Sequence, residues 1–102
     1  MRIVVTDFGK FAYRDITSYI EEHFGLARML QFEQEVKKTG ELLLTFPNAG
    51  KEEPLLAHRP LKMRSIPIGP LTKMIYHVDG DVITVVDFWP TRRDPGLLAQ
   101  SV

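Results

Sequence analysis

The chain contains no cysteine. That excludes a disulfide framework and thiolate metal sites, and it fits a reducing compartment, so a cytoplasmic location is expected. No apolar run approaches the ~20 residues that a membrane-crossing helix needs, so no membrane partner is expected. The stretch Ile3-Val4-Val5 is too short for the apolar core of a signal peptide and reads as a strand. The three histidines, His23, His58 and His77, stand far apart with no ligand spacing. Neither a metal nor a cofactor is expected. Net charge is missing as well, since 13 basic residues balance 13 acidic ones. This argues against a general nucleic-acid binder, whose affinity rests on neutralising phosphates. Acids are also absent locally. Between His58 and Val78 there is no Asp or Glu, while Arg59, Lys62, Arg64 and Lys73 all occur. Such segregation either leaves one basic face on a neutral protein or is chance over a short window.

What is present reads as one domain spanning residues 1–102. Ile3 to Val5 is β-branched and strand-like, and Asp7 offers a side chain to cap the N-terminus of a helix. Phe8, Phe11/Ala12, Ile16, Tyr19/Ile20 and Phe24 recur at steps of three and four, predicting an amphipathic helix closed by Gly25. A second helix carries Leu26, Met29, Phe32, Val36, Leu43 and Phe46 on its inward stripe. It is interrupted at Gly40 and ended by Pro47. With only Gly25 between them, the two form a helical hairpin. Pro47 to Pro60, with three prolines and a glycine, should be loop.

Three strands are then predicted. "LKMRSIPI" sits at an edge because Pro67 lacks a ladder donor. Gly69-Pro70 turns the chain into "LTKMIYHV", which Asp79-Gly80 joins to "VITVVDFW" by a type I′ hairpin turn. Val78 should then oppose Asp81, Tyr76 oppose Ile83, and Met74 oppose Val85, giving an apolar face for the helices. The other face carries Lys73, Ile75 and His77 opposite Val86, Thr84 and Val82, with Phe88 beyond, and should be open. The expected architecture is α+β, in the order β-α-α-β-β-β, with the helical hairpin on one face of a mainly antiparallel sheet.

This order and several words of the sequence resemble the RelE/ParE superfamily, the toxins of type II toxin–antitoxin systems, also called plasmid stabilisation proteins. "DITSYIEEHFG" is similar to its first helix, and "LLLTFPNAGK" to its second-helix exit. "MRSIPIG" is similar to its first meander strand, and "KMIYHVDGDVITVVDFWPTRRDP" to its terminal hairpin and basic exit. Together these cover nearly the whole chain.

The resemblance implies a bacterial, cytoplasmic growth inhibitor that forms a hetero-oligomer with a cognate antitoxin. It implies either of two targets. RelE-like members are ribosome-dependent mRNA endoribonucleases, whose cationic side chains stabilise charge on the scissile phosphate. ParE-like members poison DNA gyrase through a protein contact and need no catalytic site. The RelE-type basic positions fall here on Lys62, Arg64, Lys73 and Arg92, with Arg93 adjacent, and would be catalytic only in a RelE-like toxin. The RelE-type tyrosine falls at about Leu98, which can neither move a proton nor stack. His77 is the one open-face group able to titrate near neutral pH. Each also has a plainer reading, as an edge charge that discourages sheet-to-sheet pairing or as a solvated turn. The missing tyrosine and the zero net charge both lean towards a ParE-like toxin. A degenerate, non-toxic binding module of the same fold is a third reading. The expected antitoxin- or target-binding set is Lys62, Arg64, Lys73, His77, Arg92 and Arg93. A partner tail would fold over the open sheet face and helix flanks and bring acidic side chains to these cations.

Overall fold

A computed structural model describes residues 1–91. Five strands and two helices are arranged in the order β1 (Arg2–Val5), α1 (Asp7–Phe24), α2 (Leu26–Thr45), β2 (Lys51–Glu52), β3 (Arg64–Ile68), β4 (Thr72–Asp79) and β5 (Val82–Pro90). They build one sheet in the order β1-β5-β4-β3-β2. β1 runs parallel to β5, and every other pairing is antiparallel. The α+β architecture is the expected one, with one addition. The loop after α2 contributes the two-residue β2 and a turn of 3₁₀ helix at Pro54–Leu56. β2 pairs only with Arg64 and Ser65, so Pro67 lies past its end, where no neighbour needs a donor.

The cap of α1 is Thr6, not Asp7. Thr6 is extended and its Oγ1 accepts the Gly9 amide at 2.9 Å, while Asp7 is the first helical residue, where its charge favours the helix dipole. Gly9 is demanded by packing. A methyl there would meet the Val85 carbonyl oxygen at 2.9 Å and Val5 Cγ1 at 3.0 Å. Gly25 alone separates the helices, at φ +93°, a left-handed value that favours glycine. α2 runs unbroken through Gly40, which sits over Ile3.

The helix-side core joins Phe32 and Leu43 of α2 to Ile68, Met74, Tyr76, Ile83, Val85 and Phe88 of the sheet, with Ala12, Tyr13, Ile16 and Ile20 of α1 packed against it. The predicted helical stripes were too broad. Phe8, Phe11, Tyr19, Phe24, Leu26 and Phe46 all face solvent.

The β4–β5 register differs from the expected one by two residues. Asp79 opposes Val82, so Val78 meets Ile83 and Tyr76 meets Val85. A slip of two preserves faces, so the apolar set still points at the helices. Gly80 is the first of two central turn residues at φ +59° and Asp81 has no positive φ, the pattern of a type II′ turn and not type I′. A bulge then places Val86 between the Tyr76–Val85 and Ile75–Asp87 pairs. The extra residue flips the facing of everything after it. Phe88 therefore enters the helix-side core, while Asp87 and Trp89 share the far face with Ile75.

That far face is not bare, contrary to expectation. Leu56, Ile75 and Trp89 form a second buried cluster, with Leu55, Met63 and Val86 against it. The segment from Glu53 to Met63 is a strap across the sheet. Apolar Ile75 and Trp89 would otherwise face water, and the proline-rich loop covers them.

Candidate functional site

The predicted cations do not converge on one surface. Lys62 lies outside the strands, and its Nζ pairs with Glu52 at 3.2 Å, both side chains exposed. Arg64 stands opposite Tyr76, on the helix-facing side of β3, where its Nη1 donates to the Gly50 carbonyl at 2.8 Å. Lys73 points to the far face, so the sheet separates it from Arg64. His77 shares the far face, opposite Thr84, and its Nδ1 is buried without a partner. Arg92 and Arg93, with the Leu98 position, lie outside the described residues.

Lys73 is committed to the fold. Its Nζ lies 2.8 Å from Glu53 Oε2 and 5.2 Å from the centre of the Trp89 ring. The Glu53 side chain is 2% exposed and that of Lys73 24%. Burial alone pushes the Glu53 carboxyl up, but hydrogen bonds from Lys73 and Ser65, the Lys73 charge and the Leu55 amide outweigh it, leaving the group below its ordinary value. Next to this pair, Trp89 Nε1 donates to Asp87 Oδ2 and the Phe88 amide to Asp87 Oδ1, each at 2.8 Å. Burial dominates there and holds the Asp87 carboxyl above its ordinary value despite those bonds.

Glu53, Asp87 and Trp89 were not among the expected residues. The available signals were weak: an acid before Pro54, and an acid two residues from the only tryptophan in a strand.

On the helix side, Tyr76 ties the loop after α2 to the sheet. Its hydroxyl donates to the Pro47 carbonyl at 2.8 Å and accepts the Gly50 amide at 2.9 Å. Burial raises the phenol, against smaller lowering by the Gly50 amide and the Arg64 charge. A methyl on Gly50 would sit 2.7 Å from the Tyr76 oxygen and 2.8 Å from the Ser65 carbonyl oxygen.

Two apolar grooves open beside the helical hairpin. One, of about 450 Å³, lies between the hairpin tip and the β3–β4 turn. Ile16, Ile20, Phe24, Phe32, Ile68 and Leu71 form its walls, with Asp15, Arg28 and Glu35 as polar points. The other, of about 440 Å³, runs between the hairpin and the sheet along Ile3, Val5, Tyr13, Val36, Met74 and Phe88. Both have the size and apolar lining that receive bulky side chains of a ligand. Tyr13 donates to Glu33 at 3.5 Å beside the second groove, and burial followed by that carboxylate raises its phenol.

Among the described residues no cluster of three His, Asp or Glu is placed to hold a metal, and no helix is long and apolar enough to cross a membrane.

Comparison with known proteins bears on the family and the fold. The family described as "ParE toxin of type II toxin-antitoxin system, parDE" matches residues 12–95. A solved structure titled "Chromosomal ParDE TA system from P. aeruginosa" superposes with a TM-score of 0.69 at 15% identity, covering 88% of this chain and 95% of that one. At that identity the superposition shows the fold alone. No curated protein sequence matches. With most of its length matched by the family and its fold shared with a ParDE component, the chain belongs to the ParE toxin family of type II toxin–antitoxin systems.

Proposed function

We propose that this protein inhibits bacterial growth by binding a protein target, DNA gyrase, and is silenced in the cytoplasm by a cognate antitoxin with which it forms a hetero-oligomer. One observation carries the choice of target class. Each described cation that an endoribonuclease would use is already engaged or set apart: Lys73 by Glu53, Arg64 by the Gly50 carbonyl, Lys62 by Glu52. A ribonuclease needs unpaired positive groups aimed at one phosphate. The unsatisfied surface here is instead apolar and lies along the helical hairpin. In this reading, apolar side chains of an antitoxin segment fill the two grooves and its backbone orders on binding.

Purified components separate the alternatives. Gyrase-mediated DNA cleavage complexes, formed without RNA products and suppressed by antitoxin, are the expected result. Ribosome-dependent cleavage of a defined message would overturn the proposal in favour of mRNA endoribonuclease action. Unimpaired growth on induction without antitoxin would leave a binding module only.

A further inference from the structure

We infer that the solvent-facing flank of α1 docks a cationic amphipathic helix, so that the antitoxin segment lying on it is basic and not acidic. The antitoxin part of this inference rests on the toxin reading above; the recognition chemistry does not.

α1 carries two stripes. Gly9, Ala12, Tyr13, Ile16 and Ile20 face the core. Phe8, Phe11, Asp15, Tyr19 and Glu22 succeed one another at steps of three, four, four and three, so they stack along a single line of the helix. All five are exposed, Phe11 at 66% and Phe8 and Tyr19 above half. At ~1.5 Å per residue the line is about 21 Å long, room for four turns of a partner helix. The hairpin already buries a full stripe, so these rings contribute little to the fold. Contiguous exposed apolar surface of this kind marks an interaction face.

Charge selects the occupant. The charged members of the line are both acids, and neither forms an ion pair among the described residues. Lys10 and Arg14 stand on the neighbouring flank of α1, Lys10 about 100° and Arg14 about 60° around the axis from Phe11, and Arg14 about 100° from Asp15. A partner that lays aliphatic side chains on the rings and Arg or Lys beside Asp15 and Glu22 gains ion pairs and cation–π contacts together. An acidic partner meets like charge at both places. The strip also continues into the groove at the hairpin tip, because Asp15 and Tyr19 line both. A helix seated in that groove extends along the strip.

The test uses two synthetic helical peptides with one leucine pattern, flanked in one by arginine and in the other by glutamate, titrated into the ¹⁵N-labelled full chain. The arginine peptide is expected to shift amides between Phe8 and Glu22 and to bind about tenfold more tightly. The D15N/E22Q double variant should abolish the difference; both positions are exposed and unpaired, so its spectrum otherwise stays that of the folded chain. Equal or tighter binding of the glutamate peptide, or shifts away from α1 with either peptide, overturns the inference. A second arm titrates the adjacent-gene antitoxin against wild type and D15K/E22K, with about a tenfold or greater weakening expected in the variant. Unchanged affinity, with wild-type growth inhibition still neutralised, overturns the strip and leaves the toxin reading standing. Failure of that antitoxin to bind wild type at all removes the toxin reading, and the peptide arm then decides the strip by itself.

Discussion

Tyr76 shows how much of the fold a single hydroxyl holds. It closes the loop after α2 through two hydrogen bonds, and its ring lies in the helix-side core. Tyr76→Phe keeps the ring but orphans the Gly50 amide, at a cost of about 1–3 kcal/mol. Gly50→Ala forces a methyl between that hydroxyl and the Ser65 carbonyl and should cost about as much by overpacking. Urea unfolding of each checks this; a midpoint unchanged in both removes the tie between loop and sheet. Glu53 and Lys73 give a prediction with a sign in pH. The Glu53 carboxyl is depressed in the fold, so its contribution is present above the unfolded value, about 4.3. It is lost as pH falls through the lower folded value. Lys73→Met leaves Glu53 buried with only the Ser65 and Leu55 hydrogen bonds against its desolvation, so the carboxyl moves up from its folded value. The variant should be weaker by about 2–4 kcal/mol at pH 7, short of the fully buried figure because Lys73 keeps some solvent contact. The deficit should shrink on acidification towards pH 4, as Glu53 takes a proton. A deficit independent of pH would show that lost packing on Trp89 is the cause. Asp87 acts in the opposite sense: its carboxyl is raised, so its contribution weakens as pH climbs from the unfolded value, about 3.9, through the folded one.

At the scale of elements, the physics that makes a pattern legible is periodicity. Two helices separated by Gly25 and three later strands were readable because apolar residues recur at 3.6 or 2 along them. The extra strand β2 was not, since two charged residues in a loop carry no period. The bulge at Val86 was equally silent: alternation runs straight through it, and only the ladder shows that Phe88 and Trp89 exchange faces. For the same reason the far face was misread as open, because Leu55, Leu56 and Met63 look like loop residues until the strap is seen over Ile75 and Trp89. Of the candidate site, the basic residues were legible as residue types, but their separation onto two faces depends on register and on partners distant in sequence. The contact of α1 with β5 gives this scale its own test. Gly9 lets the first turn of α1 touch Val85, whose carbonyl also accepts the Thr6 amide at 3.0 Å. Gly9→Ala is better in helix propensity by about 1 kcal/mol, yet the clash with backbone should make it destabilising by about 1–3 kcal/mol. A stabilised variant would mean that α1 sits further from the sheet than described.

For the whole molecule, what stands out is how little of its apolar surface the hairpin hides. α2 is 20 residues long and buries only Phe32 and Leu43. Phe8, Phe11, Tyr19 and Phe24 of α1 and Leu26, Leu30, Leu42 and Leu44 of α2 are exposed. In the proposed reading an antitoxin covers this surface, and the partner's contribution then appears as stability by mass action. At free antitoxin one hundred times its dissociation constant, that contribution is about 2.7 kcal/mol. For a domain of this size, each kcal/mol moves the midpoint by about 4–8 °C, so the toxin's unfolding temperature should rise by roughly 10–20 °C. Circular dichroism melts at increasing antitoxin measure it, and hydrogen exchange locates it. Amides that exchange only by global unfolding slow uniformly, those of the Leu56–Ile75–Trp89 cluster included; the local protection beyond that should concentrate in Phe8 to Thr45, where the unpartnered surface lies. Protection confined to the strap and the far face, with the hairpin exchanging as in the free toxin, would place the antitoxin on the side of the sheet away from the grooves and overturn their assignment.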